Sequence, residues 1–186
     1  MTSVPRWTSA DLDIFPDHTG KRYEIIAGDL YVSKQPDWHH QAVCGEVFAV
    51  LRDWSRQTGA GVPNLAPGLI FTDDEDVAPD VIWISRERLT HALEEDGKLH
   101  DAPELAVEVL SPGKRNEERD KDAKLKLYSR RGVSEYWIVD WRKRTVAVYR
   151  REQALLRLVE TLYEQDDLRS PLLPGFVCRV GDLFAL

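Results

Sequence analysis

Pro103-Glu104-Leu105-Ala106-Val107-Glu108-Val109-Leu110-Ser111-Pro112 is the stretch whose reading decides the fold. Its apolar run ends at a Ser-Pro breaker, and side chains along a strand alternate between two faces. Leu105, Val107 and Val109 therefore share one face, while Ala106, Glu108 and Leu110 share the other. Both faces are mostly apolar, as in a central strand covered on both sides. One of them nevertheless carries Glu108, and a buried carboxylate is costly unless it is paired, protonated or bound to a metal. A polar group where burial is expected is the informative residue in such a run.

Working outward, the spacing predicts a charged helix from about Asn116 to Arg131, stopped by Gly132 and capped by Asn116. Tyr136 to Asp140 reads as the next strand. Strand, helix and strand in this order form a crossover unit with parallel neighbours. Upstream, Asp80 to Ile84 is a strand, and Glu87 to Asp96 reads as a helix ended by Gly97. A helix from about His39 to Thr58 follows from Val43, Val47, Val50, Leu51 and Trp54 at helical spacing. Pro63 to Gly68 reads as loop and Leu69 to Phe71 as a short strand. Thr72 to Asp76 lacks the alternating ligands and following glycine of a calcium loop and reads as a solvated acidic turn.

Near the start, Thr8 with Asp11 three residues on resembles a capping box, with a helix ended by Pro16. Arg22 to Ser33 reads as a hairpin turning at Ala27-Gly28-Asp29. Thr145 to Tyr149 and Leu155 to Tyr163 are further strands. The class is α/β or α+β, with a mixed sheet flanked by helices.

A chain of 186 residues suits one domain, here 1–186, with a full core. No apolar run is long enough to span a bilayer, and the first residues lack a signal-peptide pattern, so no membrane partner is expected. Cys44 and Cys178 are too few for a disulfide framework, read as buried thiols, and suit a reducing cytoplasm. The net charge of -7 argues against general nucleic-acid affinity. Yet residues 114–151 hold 13 Lys/Arg against 6 Asp/Glu, and the remainder 12 against 26. Such a local basic segment could face phosphates or simply be solvated.

Two further polar residues join Glu108. Asp80, after Pro79, shares a strand face with Ile82 and Ile84, or else is a turn aspartate. On the helix after Glu108, at about 100° per residue, Ala123, Leu127, Lys124 and Tyr128 share an arc of roughly 140° with Asp120, and Lys126 lies opposite. Lys124 therefore belongs to the burying arc, unless its stem snorkels to water or it pairs with Asp120. Two carboxylates from adjacent strands make a hard oxygen site suited to Mg²⁺ or Mn²⁺. With a lysine ammonium beside them, Asp80, Glu108 and Lys124 have the equipment for hydrolysing a phosphodiester. No phosphate loop, His-Glu-x-x-His, Cys-x-x-Cys or Gly-x-Ser-x-Gly is present, and no organic cofactor is expected.

These residues carry a resemblance. Pro79-Asp80, then Glu108 with a basic residue beyond, resembles the PD-(D/E)XK nuclease superfamily and, more narrowly, the Uma2 family of restriction endonucleases. The matching pieces are Arg22 to Leu30, His40, Pro79-Asp80-Val81, Glu108 to Pro112, Asp120-x-x-x-Lys124-Leu125-x-x-Tyr128, Gly132-Val133-x-Glu135-Tyr136-Trp137 and Pro174-Gly175-Phe176. One departure matters: Leu110 stands where the superfamily has its lysine, so the resemblance points to Lys124 as its replacement. It implies a restriction-endonuclease-like mixed sheet and a Mg²⁺- or Mn²⁺-dependent DNA endonuclease with Asp80 and Glu108 on the metal. Lys124 and Glu24 would complete the catalytic set, and His40 matches a family histidine. Glu24 could instead pair with Lys21 or Arg22, and His40 could make a local hydrogen bond. A homodimer would suit cutting two strands, although no interface is legible. The alternatives are a catalytically silent nucleic-acid- or protein-binding module on the same fold, or a structural ion-pair network.

Overall fold

The central run behaves as its alternation requires: Leu105–Val109 is a strand buried at all five positions. The structure, a computed structural model, describes residues 5–16 and 20–185, with only the backbone of Lys114 and Arg115. In chain order the strands are β1 (Lys21–Ile26), β2 (Asp29–Lys34), β3 (Gly61–Leu65), β4 (Leu69–Thr72), β5 (Glu75–Val77), β6 (Val81–Ser85), β7 (Leu105–Val109), β8 (Glu135–Asp140), β9 (Thr145–Glu152), β10 (Leu155–Leu162), β11 (Asp167–Leu168) and β12 (Cys178–Arg179). The α-helices are α1 (Trp38–Thr58), α2 (Arg86–Ala92), α3 (Lys114–Glu118) and α4 (Leu125–Arg131). A π-helical turn, Arg119–Lys124, joins the last two.

A six-stranded mixed sheet runs β10-β9-β8-β7-β6-β3, and a four-stranded sheet runs β2-β1-β5-β4. Within the larger sheet β7 and β8 are parallel and the other neighbours antiparallel. The crossover read from the sequence is therefore present, with the α3–α4 helix as its connection. On one face α1 lays Val43, Val47, Leu51 and Trp54 against Val107, Val109, Trp137 and Val139, joined by Phe176 and Phe184. On the other, Leu127 and Tyr128 meet Ala106, Ile82 and Ile138, together with Ile26 and Leu69 of the smaller sheet. Each fully buried aliphatic side chain of this kind contributes about 1.5–3 kcal/mol.

Local details depart from the sequence reading for identifiable reasons. Ser9–Ile14 is a 3-10 helix, although the Thr8 amide donates to the Asp11 carboxylate as a capping box requires, and the Thr8 hydroxyl donates to the same oxygen. Residues 61–65 form strand rather than loop: β3 is the sheet edge, where Pro63 withholds no ladder donor from a further neighbour. The acidic stretch is a solvated turn only as far as Asp74. Glu75 and Asp76 are buried in β5, and Glu75 receives Arg130 and Arg131 from α4. The second helix stops at Ala92, because Leu93 bridges to Leu99 across a turn containing Gly97. Asn116 is not the helix cap. Helix α3 begins two residues earlier, and the Asn116 side chain donates to the Pro112 carbonyl. Both cysteines are buried and free, as read.

Two glycines separate space from propensity. A Cβ on Gly61 would collide with the Ile84 carbonyl and the Trp83 ring, whereas a Cβ on Gly45, inside α1, would meet nothing within 4 Å. Gly61→Ala should therefore lower stability by about 1–3 kcal/mol, and Gly45→Ala should raise it by about 0.5–1 kcal/mol. Urea midpoints of the two variants check this.

Candidate active site

Strand pairing brings the two carboxylates together. Antiparallel β6 and β7 match Val81 with Val107, and one step further along that register residue 80 faces residue 108. The carboxylate of Asp80 then accepts the Val109 amide at 2.9 Å. Hairpin β1–β2 supplies the next pair: Arg22 and Glu24, two residues apart on β1, share a face. Arg22 Nη1 lies 3.0 Å from Asp80 Oδ1. Glu24, 1% exposed, takes the Ala78 amide at 3.0 Å.

The helix after β7 closes the cluster from above. Lys124 is fully buried, and its Nζ lies 2.8 Å from both Glu24 Oε1 and Glu108 Oε1. Asp120 stands 4.0 Å away, one turn back. Tyr128 donates to Glu108 Oε1 at 3.0 Å. Arg119 reaches Glu24 at 3.4 Å and Asp120 at 2.8 Å. The π turn is what packs Arg119, Asp120 and Lys124 into one buried patch. Such turns widen the helix by one residue and recur at functional sites. The Tyr136 hydroxyl takes up the Asp120 carbonyl at 2.9 Å. The wheel drawn for a plain α-helix still placed Lys124 inward and Lys126 outward, and the structure agrees.

All four residues singled out from the sequence, Glu24, Asp80, Glu108 and Lys124, thus meet in one buried cluster. Glu24 pairs with Lys124 and Arg119, not with Lys21 or Arg22. Arg22, Arg119 and Asp120 were not selected as site residues, because only tertiary contacts reveal them. The alternation of Arg22 with Glu24 and the i,i+4 spacing of Asp120 and Lys124 were the available signals.

Four carboxylates, from Glu24, Asp80, Glu108 and Asp120, face three cations, from Arg22, Arg119 and Lys124. Counted in their ionised forms, these four acids exceed the three bases by one. Burial pushes the Glu108 carboxyl well above its ordinary range, against the pull of Lys124 and with help from the Asp80 and Asp120 charges. Burial would also raise Glu24, but Lys124 and Arg119 outweigh it and hold that carboxyl low. Asp80 is likewise held low: its burial is overcome by the His40 hydrogen bond and charge, then by Arg22 and Lys124. Burial opposes the Lys124 charge, but Glu108 and Glu24 win and keep the ammonium protonated.

Oxygens of two carboxylates are buried here without a hydrogen-bond partner, Glu108 Oε2 and Asp120 Oδ2, and Glu24 Oε2 has only the Arg119 ion pair. Hard oxygens, an excess of acids over bases and unsatisfied lone pairs fit a small divalent cation. Asp80 is better satisfied, since its two oxygens already serve Arg22, Val109 and His40.

His40 enters from the first turn of α1, where Asp37 caps its amide at 2.9 Å. Its Nε2 lies 3.2 Å from Asp80 Oδ2, and its Nδ1 lies 3.6 Å from Cys44 Sγ. It therefore makes a long-range contact, where only a local bond was the alternative. A cleft of about 400 Å³ adjoins the end of β7 and the start of α1, lined in part by Lys34, Asp37, Ser111 and Asn116.

Much of the basic segment is ion-paired with carboxylates of the same molecule. Lys121 and Arg142 pair with Glu117, Lys143 with Asp140, Arg144 with Glu164, and Arg150 with Glu135 and Glu160. No helix among the described residues is long and apolar enough to cross a membrane.

Comparison with known proteins bears on the fold and the family. A crystal structure described as "a putative nuclease belonging to DUF820", from Anabaena variabilis ATCC 29413, superposes with a TM-score of 0.74 at 21% identity, covering 96% of this chain and 97% of that one. That likeness establishes the shared fold. A search of curated proteins finds no match. The sequence profile of the Uma2 family, described as "Putative restriction endonuclease", matches residues 9–181, and the chain belongs to that family.

Proposed function

We propose that this protein is a divalent-metal-dependent endonuclease that hydrolyses phosphodiester bonds in DNA. The observation that carries the reading is the buried cluster of Glu24, Asp80, Glu108 and Lys124, joined by Arg22, Arg119 and Asp120 into four acids against three bases with unsatisfied carboxylate oxygens. Asp80 and Glu108 would hold the ion, Mg²⁺ or Mn²⁺. When bound, such an ion lowers the pKa of water and stabilises charge on a phosphoryl oxygen. Lys124 keeps a fixed ammonium against Glu108, ready to orient the attacking water or neutralise the phosphate. Glu24 holds that ammonium from the other side, and Tyr128 fixes the Glu108 rotamer. The family description and the nuclease-like fold support the same activity.

A second reading has one observation in its favour: every oxygen of Asp80 already has a donor. On that reading the cluster is structural and the chain is a silent nucleic-acid- or protein-binding module.

Asp80→Asn and Glu108→Gln should each lower Mg²⁺- or Mn²⁺-supported plasmid cleavage at least about 100-fold, with unchanged far-UV circular dichroism. Retained cleavage in either variant defeats the assignment. A wild type that fails to cleave with every divalent ion tried, yet binds DNA with steep salt dependence, favours the silent module.

The two charge variants should differ sharply in stability. Glu108→Gln replaces the carboxyl already driven toward its neutral form and keeps acceptors for Lys124 and Tyr128. Its urea midpoint without metal should equal or exceed that of the wild type. Lys124→Met leaves buried carboxylates without their shared cation and should cost about 3–5 kcal/mol, read from the same titration.

A further inference from the structure

We infer that His40, Cys44 and Asp80 form a binding site for a thiophilic divalent ion of the Zn²⁺ class, whose occupancy withdraws Asp80 from the carboxylate cluster and inhibits cleavage. The inhibitory half rests on the nuclease reading above, and the binding half stands without it.

The ligand atoms are already gathered. One atom from each of the three residues lies within 4.8 Å of the others, and all three residues are buried. His40 and Cys44 are four residues apart on α1, so both project from one helical face. The 3.6 Å between Cys44 Sγ and His40 Nδ1 matches the roughly 3.5 Å edge that zinc–sulfur and zinc–nitrogen bonds make at a tetrahedral angle. With Nδ1 as the ligand, the 3.2 Å contact of Nε2 with Asp80 Oδ2 gives way, and the edges to Asp80, no longer than 4.8 Å, close around the ion. Three protein ligands leave the fourth position for water, the arrangement of an open zinc site.

The donor set discriminates between ions. Mg²⁺ and Mn²⁺ prefer the oxygens of Glu108 and Asp80, while a sulfur and an imidazole nitrogen favour Zn²⁺. Both kinds of ion draw on Asp80, which has two oxygens and already holds Arg22 through one of them. An ion between Cys44 and Asp80 therefore competes with an ion between Asp80 and Glu108. No step of the proposed hydrolysis uses Cys44. As the sulfur–metal bond forms, the Cys44 thiol gives its proton to solvent and the neutral imidazole gives a lone pair. The oxidation state of every atom is unchanged.

The full-length chain titrated with Co²⁺, as a coloured probe, tests the site directly. The wild type should develop a thiolate-to-cobalt charge-transfer band that Zn²⁺ abolishes by displacement. Cys44→Ser and Cys44→Ala should lack the band, bind Zn²⁺ at least about tenfold more weakly and keep their Mn²⁺ affinity. Two variants of different polarity guard against a folding defect in one of them. In Mn²⁺-supported cleavage, Zn²⁺ should inhibit the wild type at concentrations at least tenfold lower than either variant. A wild type without the band overturns the site. A band with equal Zn²⁺ sensitivity in all three proteins overturns the inhibitory role. A wild type that cleaves nothing removes that role with the nuclease reading, and the cobalt spectrum still decides the site.

Discussion

An ammonium held between two glutamates, with no exposure to water, is the constraint from which this molecule is built outward. Lys124 reaches Glu24 and Glu108 at equal distance. Removing such a cation from water costs several kcal/mol, which only close and well-placed carboxylates can offset. Three segments must therefore arrive at one point: hairpin β1–β2, central strand β7 and the helix that follows it. The ion pair thus acts as a tertiary staple between the two sheets and the crossover helix. Its partners are satisfied in turn by Arg119, Tyr128 and the Ala78 amide.

Much of this was legible before any coordinates. Alternation along Leu105 to Val109 marked the central strand, and Glu108 stood out on its apolar face. The helical arc singled out Lys124, and the turn residues marked the hairpin that carries Glu24. What escaped was set by contacts distant in sequence. Glu75 and Asp76 look like a solvated run until Arg130 and Arg131 are seen to cover Glu75. Pro63 looks like a loop residue until β3 proves to be an edge strand. The π turn leaves no periodic trace, since six residues are too few to show a change of pitch. Arg22 and Arg119 read as ordinary surface charges, whereas Asp120 lies on the burying arc but is marked there only as a partner for Lys124.

The distribution of charge has a second layer. The segment richest in lysine and arginine lies on an acidic chain, and a linear count makes it look like a surface for phosphates. Folding turns most of those cations toward carboxylates of the same molecule, several of them buried. Linear charge density and unpaired charge are therefore different quantities in this protein, and the first overstates the second. The cleft at the end of β7, with Lys34 and Asn116 in its wall, is where polar groups still face outward near the cluster.

The excess of acids in the cluster of Glu24, Asp80, Glu108 and Asp120 ties folding to occupancy. A chain that must bury four acids against three bases folds with a built-in electrostatic cost, and the rise of the Glu108 carboxyl above its ordinary range is one expression of it. Any cation entering the cluster relieves that repulsion, so affinity and conformational stability become two readings of one quantity. A surrounding that neutralised the acids more fully would make a sturdier empty fold and a poorer trap.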